Sequence, residues 1–296
     1  MKKRPFLMAL ALLGAIFLFF LVLIYLLAGF MGRTTSFPLG EKVGVVEVLG
    51  VITSSKKTIE HLNQFKKDDS VKAIVLRIES PGGGVGPSQE IHDEVRKLAE
   101  VKPVVVSMGS VGASGGYYVA VPARRIFANA GTITGSIGVI MEFTSVQELL
   151  GKIGLSSQVV KSGQHKDIGS PLREMTEEDR TILQGVIDDV HVQFVHAVAE
   201  GRGLPVEEVA SLADGRIFTG RQAMEAGLVD DLGNLQDAVV AAAEYAGLDG
   251  EPRIVYPPKD KGEVLEYFIQ EAVSGFGRGL QERTGTGLQF LWPGVE

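Results

Sequence analysis

The stretch VKAIVLRIESPGGGVGPSQEIHDEVRKLAE, Val71 to Glu100, sets an unbroken apolar run before a glycine turn and then a helical pattern. Val71 to Glu79 reads as a buried strand, because a short apolar run bounded by turn residues fits a strand covered on both faces. SPGGG ends it. In PSQEIHDEVRKLAE, Ile91, Val95 and Leu98 recur on one helical face, and Pro87 suits a first turn. Working outward, KVGVVEVLGVI from Lys42 reads as one strand or two, IEHLNQFKKD from Ile59 as a helix, and PVVVSMG from Pro103 as another buried strand. This alternation predicts an α/β domain whose sheet is covered by helices.

The second half is more helical. TEEDRTILQGVIDDVHVQFVHAVAE opens on Thr176 as N-cap with acidic residues in the first turn, and Leu183, Val186, Ile187, Val190, Phe194 and Val198 form one apolar stripe for packing. TGRQAMEAGLVDDLG repeats the pattern, with Thr219 as N-cap and Gly227 as stop. Near the end, EVLEYFIQEAVSGFGRGL predicts an amphipathic helix. The last residues, GTGLQFLWPGVE, read as a flexible end that is apolar from Leu288 to Trp292.

With 296 residues, 45% hydrophobic and 22% charged, the chain has ample material for a core. A net charge of −7, with no basic cluster beyond the N-terminus, argues against a nucleic-acid partner, which would require a basic face. Without cysteine there is no disulfide, thiolate ligand or cysteine nucleophile. The five histidines are scattered, and His191 and His196 fall on different helical faces, so no metal is expected. Phe6 to Met31 is apolar throughout and long enough to span a bilayer, longer than the apolar core of a cleaved leader. Lys2, Lys3 and Arg4 in front of it predict a cytoplasmic N-terminus and an extracytoplasmic domain. The expected organisation is a stub and transmembrane anchor over residues 1–32, a linker over 33–41, a folded α/β domain over 42–258, and a C-terminal helix and tail over 259–296.

Glycine-rich segments follow the strands, where glycine lets backbone approach a ligand. SPGGGVGPS, Ser80 to Ser88, lacks both the Gly-Lys-Ser/Thr ending of a phosphate loop and the third glycine of a dinucleotide fingerprint. Its amides could serve an oxyanion instead. SMGSVGASGGYYVA, Ser107 to Ala120, is small and uncharged, poor material for either helix or strand. Ser114 within it follows a strand, at an expected helix start, and precedes glycines, which frees its hydroxyl but equally suits a tight packing contact. Its surroundings, Gly112-Ala113-Ser114-Gly115-Gly116, place alanine and glycine around the serine and read as a strand–helix context different from that of the hydrolase elbow. A lysine can replace histidine as base if it is held neutral. Bringing its ordinary pKa of about 10.4 near neutrality costs about 4 kcal/mol, which a pocket can impose. KSGQHKDIGSP, Lys161 to Pro171, offers candidates.

In order, SPGGG, MGSVGASGGYY, TGSIGVI at Thr134 to Ile140, and KSGQHKDIGSPLREM at Lys161 to Met175 resemble the signal peptide peptidase A family of bacterial membrane-anchored serine peptidases. The resemblance covers nearly the whole chain and matches the short, single-core form. It implies a Clp protease/crotonase-like α/β fold, a spiral of β-β-α units behind one transmembrane helix. It also implies Ser114 as nucleophile, Lys166 as general base, Ser136 as the residue that aims the lysine, and the Gly83 and Gly115 amides as oxyanion hole. The substrates implied are apolar peptides, remnant signal peptides left in the membrane. No cofactor is implied. Members of the short form are octameric with sites composed across subunits, so Ser114 and Lys166 could meet between protomers.

Asp167, next to Lys166, would favour the charged lysine unless it faces away, as an extended segment would make it do. His165 is the competing base. A noncatalytic scaffold of the same fold and an acyl-thioester enzyme of crotonase type are the rival functions. The apolar tail could enter a peptide groove as a pseudo-substrate, or be a disordered end.

Overall fold

The computed structural model describes residues 14, 16–20, 22, 41–258 and 289–291. Met1–Gly40 and Glu41–Glu296 form separate compact units. Residues 14, 16–20 and 22 are helical; the remainder of the expected anchor and the helix expected from Glu263 to Leu280 lie outside the described residues. Among the described residues no helix is long and apolar enough to cross a membrane.

The second unit runs β1 (Lys42–Leu49), α1 (Lys56–Lys67), β2 (Val71–Ser80), β3 (Gly82–Gly84), α2 (Val85–Ala99), β4 (Val104–Ala113) and α3 (Gly115–Ala120). There follow β5 (Arg125–Ala128), β6 (Ile133–Gly135), α4 (Gln147–Lys152), α5 (Glu177–Arg202), α6 (Val206–Leu212) and β7 (Ile217–Thr219). The unit ends with α7 (Gly220–Glu225), β8 (Asp231–Leu232), α8 (Leu235–Tyr245), β9 (Arg253–Val255) and β10 (Gln289–Leu291). Strands β7, β6, β4, β2, β1 and β9 lie side by side in that order, with β5 beside β4 and β8 beyond it. All pairs are parallel except β6 with β7. It is the mixed α/β fold, built on a parallel sheet, that the alternating pattern implied.

The sheet is covered on both faces, which is why its central strands carry no polar alternation. Ala73, Val75 and Val105 pack against Ala238, Val239 and Ala242 of α8, whereas Ile74, Leu76, Val106 and Met108 share the other core with Leu62 of α1 and Ile91, Val95 and Leu98 of α2. Each aliphatic side chain so buried stabilises the fold by about 1.5–3 kcal/mol. Thr176 and Thr219 cap α5 and α7 in reciprocal capping boxes with Asp179 and Gln222, and Gly227 takes a left-handed φ of 71° just beyond α7.

Two expectations need correction. Ser107–Ala113 is the end of β4 and Gly115–Ala120 is α3, and both are buried apart from Ser110. Small residues suit this segment because it threads between neighbouring backbones: a Cβ on Gly116 would lie 2.8 Å from the Ser80 carbonyl oxygen. The apolar stripe on α5 is likewise only half used. Val190, Phe194 and Val198 are buried, but Val186 is exposed and Leu183 and Ile187 are half-buried, because the first half of the helix extends past the core.

β4 decides where the site forms. Its first half pairs with β5, Val105 opposite Arg125 through Met108 opposite Ala128, and its last residues pair with β6, Val111 opposite Ile133 through Ala113 opposite Gly135. On its other side Gly112 lies opposite Ser80, at the turn into β3. The strand therefore delivers Ser114 between the glycine turn and TGSIGVI.

Candidate active site

Ser114 sits between the last residue of β4 and the first of α3 with φ 53° and ψ −117°. A non-glycine residue adopts such a conformation only where its surroundings over-determine it, at a cost of about 1–3 kcal/mol. Here the Ser114 amide donates to the Gly135 carbonyl at 2.8 Å and its carbonyl accepts from the Tyr118 amide at 2.8 Å. Tyr117, fully buried, donates its hydroxyl to the Leu228 carbonyl at 2.8 Å and so pins α3, burial pushing its phenol far above the ordinary range. This is the sharp strand–turn–helix geometry of a nucleophile elbow, and Gly112-Ala113-Ser114-Gly115-Gly116 fits the Gly-x-Ser-x-Gly pattern, so the expected difference in context does not hold.

The Ser114 side chain is as unusual as its backbone. It is 1% exposed, and its hydroxyl has no hydrogen-bond partner among the described residues. A buried unsatisfied hydroxyl costs about 1–3 kcal/mol. For packing alone, glycine would relieve the backbone and alanine would remove the unpaired oxygen, so packing is a poor account of serine here.

Gly83 lies on β3, the strand that α3 contacts. The Ile52 amide donates to Gly82 and the Gly84 amide donates to Ile52, both along one edge of β3. Backbone groups alternate sides along a strand, so the Gly83 amide and carbonyl face the other edge. There β10 runs antiparallel, with Phe290 directly opposite Gly83. A Cβ on Gly83 would fall 2.3 Å from the Ile52 carbonyl oxygen, so only glycine fits between the two chains. Ser80 fixes the turn, its hydroxyl donating to the Gly50 carbonyl at 2.6 Å and accepting from the Gly82 amide at 3.1 Å. α3 contacts β3, which places Gly115 close to the glycine edge. The Gly115 amide lies in the first turn of a helix, where no preceding intrahelical carbonyl is available to it.

Ser136 follows Gly135 and also has positive φ, 50°. Its amide donates to the Arg216 carbonyl at 2.8 Å, and its residue is nearly buried. Because the carbonyl of Gly135 accepts from Ser114, the two serines belong to one junction. Thus Ser114, Gly115 and Ser136 lie at one junction, and the helix that Gly115 opens contacts the strand that carries Gly83.

Lys166 is exposed, and its ammonium makes no hydrogen bond or ion pair among the described residues. Residues 161–170 form consecutive turns rather than the extended segment expected, with Ile168 donating to His165 and Ser170 to Asp167. Asp167 is nevertheless occupied: its carboxylate accepts from Lys161 at 2.6 Å and from Arg173 at 3.0 Å. The Arg173 guanidinium first, then Lys161, pulls its carboxyl down to about 2. His165, the competing base, lies 3.5 Å from Glu178 and 3.8 Å from Asp179 at the start of α5.

Two features escaped sequence reasoning. The sequence offered the apolar tail as an occupant of a peptide groove, but not its antiparallel pairing as β10 with β3, which joins segments about 200 residues apart. The Arg173 bridge was visible only as charged residues in a loop.

The geometry is that of a serine hydrolase site on a Clp-type α/β core. A Clp protease profile matches residues 48–133, and a profile of peptidase family S49 matches residues 96–249. A candidate protease of Synechocystis sp. is 49% identical over 210 residues, covering 71% of this chain and 76% of that protein. A candidate protease of Methanocaldococcus jannaschii is 37% identical over 232 residues, 77% of this chain and 71% of that one. A candidate signal peptide peptidase of Enterococcus faecium is 39% identical over 182 residues, 61% of this chain and 53% of that one. The chain belongs to peptidase family S49, the signal peptide peptidase A family that its motifs resemble, and its activity class is that of a serine peptidase.

Proposed function

We propose that this protein is a membrane-anchored serine endopeptidase with a Ser-Lys dyad, completed between two copies of the chain, that degrades signal peptides left in the membrane after their release. The observation that carries the reading is Ser114: a strained, buried serine with an unpaired hydroxyl, at the start of a helix that contacts a glycine edge already holding an extended chain segment. In the reaction, Ser114 Oγ attacks the scissile carbonyl, and Lys166 Nζ accepts the hydroxyl proton and returns a proton to the leaving amine. Ser136 aims the lysine, and the Gly83 and Gly115 amides stabilise the oxyanion. Water then repeats the sequence on the acyl-enzyme to release the second product.

The exposure of Lys166, with no hydrogen bond to Ser114, supports completion in trans. Lys166 is exposed in the single chain, while a base must be a neutral amine; a neighbouring copy covering it would desolvate the ammonium and favour the neutral form. The exposed apolar residues of the first half of α5 and of Leu149 to Val160 supply a surface for such a neighbour, consistent with an octameric ring. The mode of β10 supports a peptide substrate bound as an added antiparallel strand on Gly82–Gly84, recognised through backbone and so tolerant of sequence. The apolar run Phe6 to Met31 would hold the enzyme in the cell membrane with its catalytic domain outside the cytoplasm, beside apolar substrates, raising their effective concentration.

The test is hydrolysis of an apolar peptide by wild type, Ser114→Ala, Lys166→Ala and an equal mixture of the two variants refolded together. Each variant alone should lose at least about a thousandfold. The mixture should recover activity, because some interfaces pair an intact Ser114 with an intact Lys166. Retained activity in either single variant overturns the dyad; an inactive mixture overturns completion between copies.

A further inference from the structure

The loop that carries Lys166 holds a charged bridge that the proposed chemistry does not itself use. Arg173 sends Nη2 to the Asp167 carboxylate at 3.0 Å and to the Asp167 carbonyl at 3.3 Å, while Nη1 donates to the Glu174 carbonyl at 2.9 Å and to the Asp179 carboxylate. Asp179 is almost fully buried at the start of α5, and the same carboxylate oxygen accepts from the Thr176 amide at 3.1 Å to complete the capping box. One guanidinium therefore ties the residue next to Lys166 to the capped first turn of a long helix. A planar fork suits this work, since it fixes two carboxylates in one plane.

The bridge also settles a local conflict of charge. Asp167 is adjacent to Lys166, and a free carboxylate there would stabilise the ammonium and oppose a neutral base. Arg173 and Lys161 claim that carboxylate instead. The remaining ionisable groups around the turn are His165, which faces Glu178 and Asp179, then Glu174, Glu177 and Arg180, and Glu142 beside the segment Phe143 to Ser145 that packs on Gly169 and Arg173. None of them forms an ion pair with Lys166 among the described residues.

We infer that Arg173 is a positioning residue for the base: by joining Asp167 to Asp179 it fixes the Lys166 turn on α5 and keeps the adjacent carboxylate from holding the lysine proton. The inference rests on the reading of Lys166 as base. It says more than that the loop is stabilised, because a merely structural clamp would leave the proton affinity of the base unchanged.

The experiment is the pH dependence of peptide hydrolysis by the full-length, detergent-solubilised protein, in wild type, Arg173→Ala, Asp167→Asn, the Arg173→Ala/Asp167→Asn double variant and Lys161→Ala. Arg173→Ala should move the rising limb of the kcat/KM profile towards alkaline pH by about one unit, about tenfold in rate at a pH on that limb. Adding Asp167→Asn should move the limb back, while the loss from poorer positioning persists. An unshifted limb in Arg173→Ala, or a shift that Asp167→Asn leaves in place, overturns the inference. If circular dichroism shows that Arg173→Ala does not fold, Lys161→Ala carries the test: it should shift the limb the same way by less, and an unshifted limb there is equally fatal. Lys166→Ala in the same series keeps the two ideas apart. Activity that survives it overturns the base itself, whereas its loss beside an unshifted Arg173→Ala limb overturns only the positioning role.

Discussion

The junction around Ser114 and the loop around Lys166 are built from opposite materials. Ser114 is delivered by a central strand, walled by parallel neighbours and held by backbone hydrogen bonds, so that its strain is sustained by the core. The lysine loop has no strand and little buried surface; charged side chains hold it, Lys161, Asp167, Arg173 and Asp179 in series. A nucleophile needs a fixed direction of attack, which packing gives. If Lys166 is the base proposed above, completed by a second copy, it needs a surface position, and there ion pairs are what remains to shape a loop.

The comparison can be broken most sharply at the two ends of the proposed dyad, where Ser114→Ala and Lys166→Ala, assayed alone and mixed, should show the largest losses. Next in size is Gly83→Ala, whose methyl would press on the Ile52 carbonyl and displace the glycine edge. It should cost at least about a hundredfold in turnover through the lost amide donor, and about 1–3 kcal/mol in stability through overpacking. Calorimetry beside the peptide assay checks both, and near-normal turnover would remove Gly83 from the oxyanion hole.

A smaller effect should follow deletion of residues 287–296. Because β10 occupies the edge proposed for substrate, its removal should lower the KM for a peptide several-fold and leave kcat little changed. An unchanged KM would mean that tail and substrate do not compete.

The smallest effect is a difference in acid sensitivity between the two regions. Arg173 and Lys161 hold Asp167 down at about 2, and Arg173 with the cap of α5 holds Asp179 lower still. A carboxyl depressed in the folded state stabilises fully above its unfolded value of about 3.9 and loses that contribution as pH falls through the folded value. Hydrogen exchange should therefore find residues 161–179 opening between about pH 4 and pH 2 while β2 and β4 stay protected. Both regions opening together would deny the contrast. The exposed pairs should also weaken in strong salt.

Much of the scaffold was legible. Val71–Ser80, Val104–Ala113 and Val85–Ala99 follow from apolar runs and helical spacing, and Thr176 and Thr219 announced their caps, because all of these depend on neighbours a few residues away. Gly83, Ser114 and Ser136 were legible as motif positions. The helix start at Ser114 was legible from the strand before it, but the burial of SMGSVGASGGYYVA was not, since it is set by the wall of Ser80, Gly135 and Leu228 around it. The unused half of the α5 stripe was also invisible, because period alone cannot tell whether a helix outruns its core.

By itself the sequence determined the alternation of strands and helices, the positions of the glycine turns and the residue types of a serine peptidase, because periodicity and motif are properties of short segments. Tertiary structure alone decided that Ser114 has positive φ and an unpaired hydroxyl, that Gly83 faces an antiparallel strand from the far end of the chain, and that Lys166 is exposed with no hydrogen bond to the serine. Those facts depend on which distant backbones meet, and such meetings are set by packing and ion pairing across the whole domain.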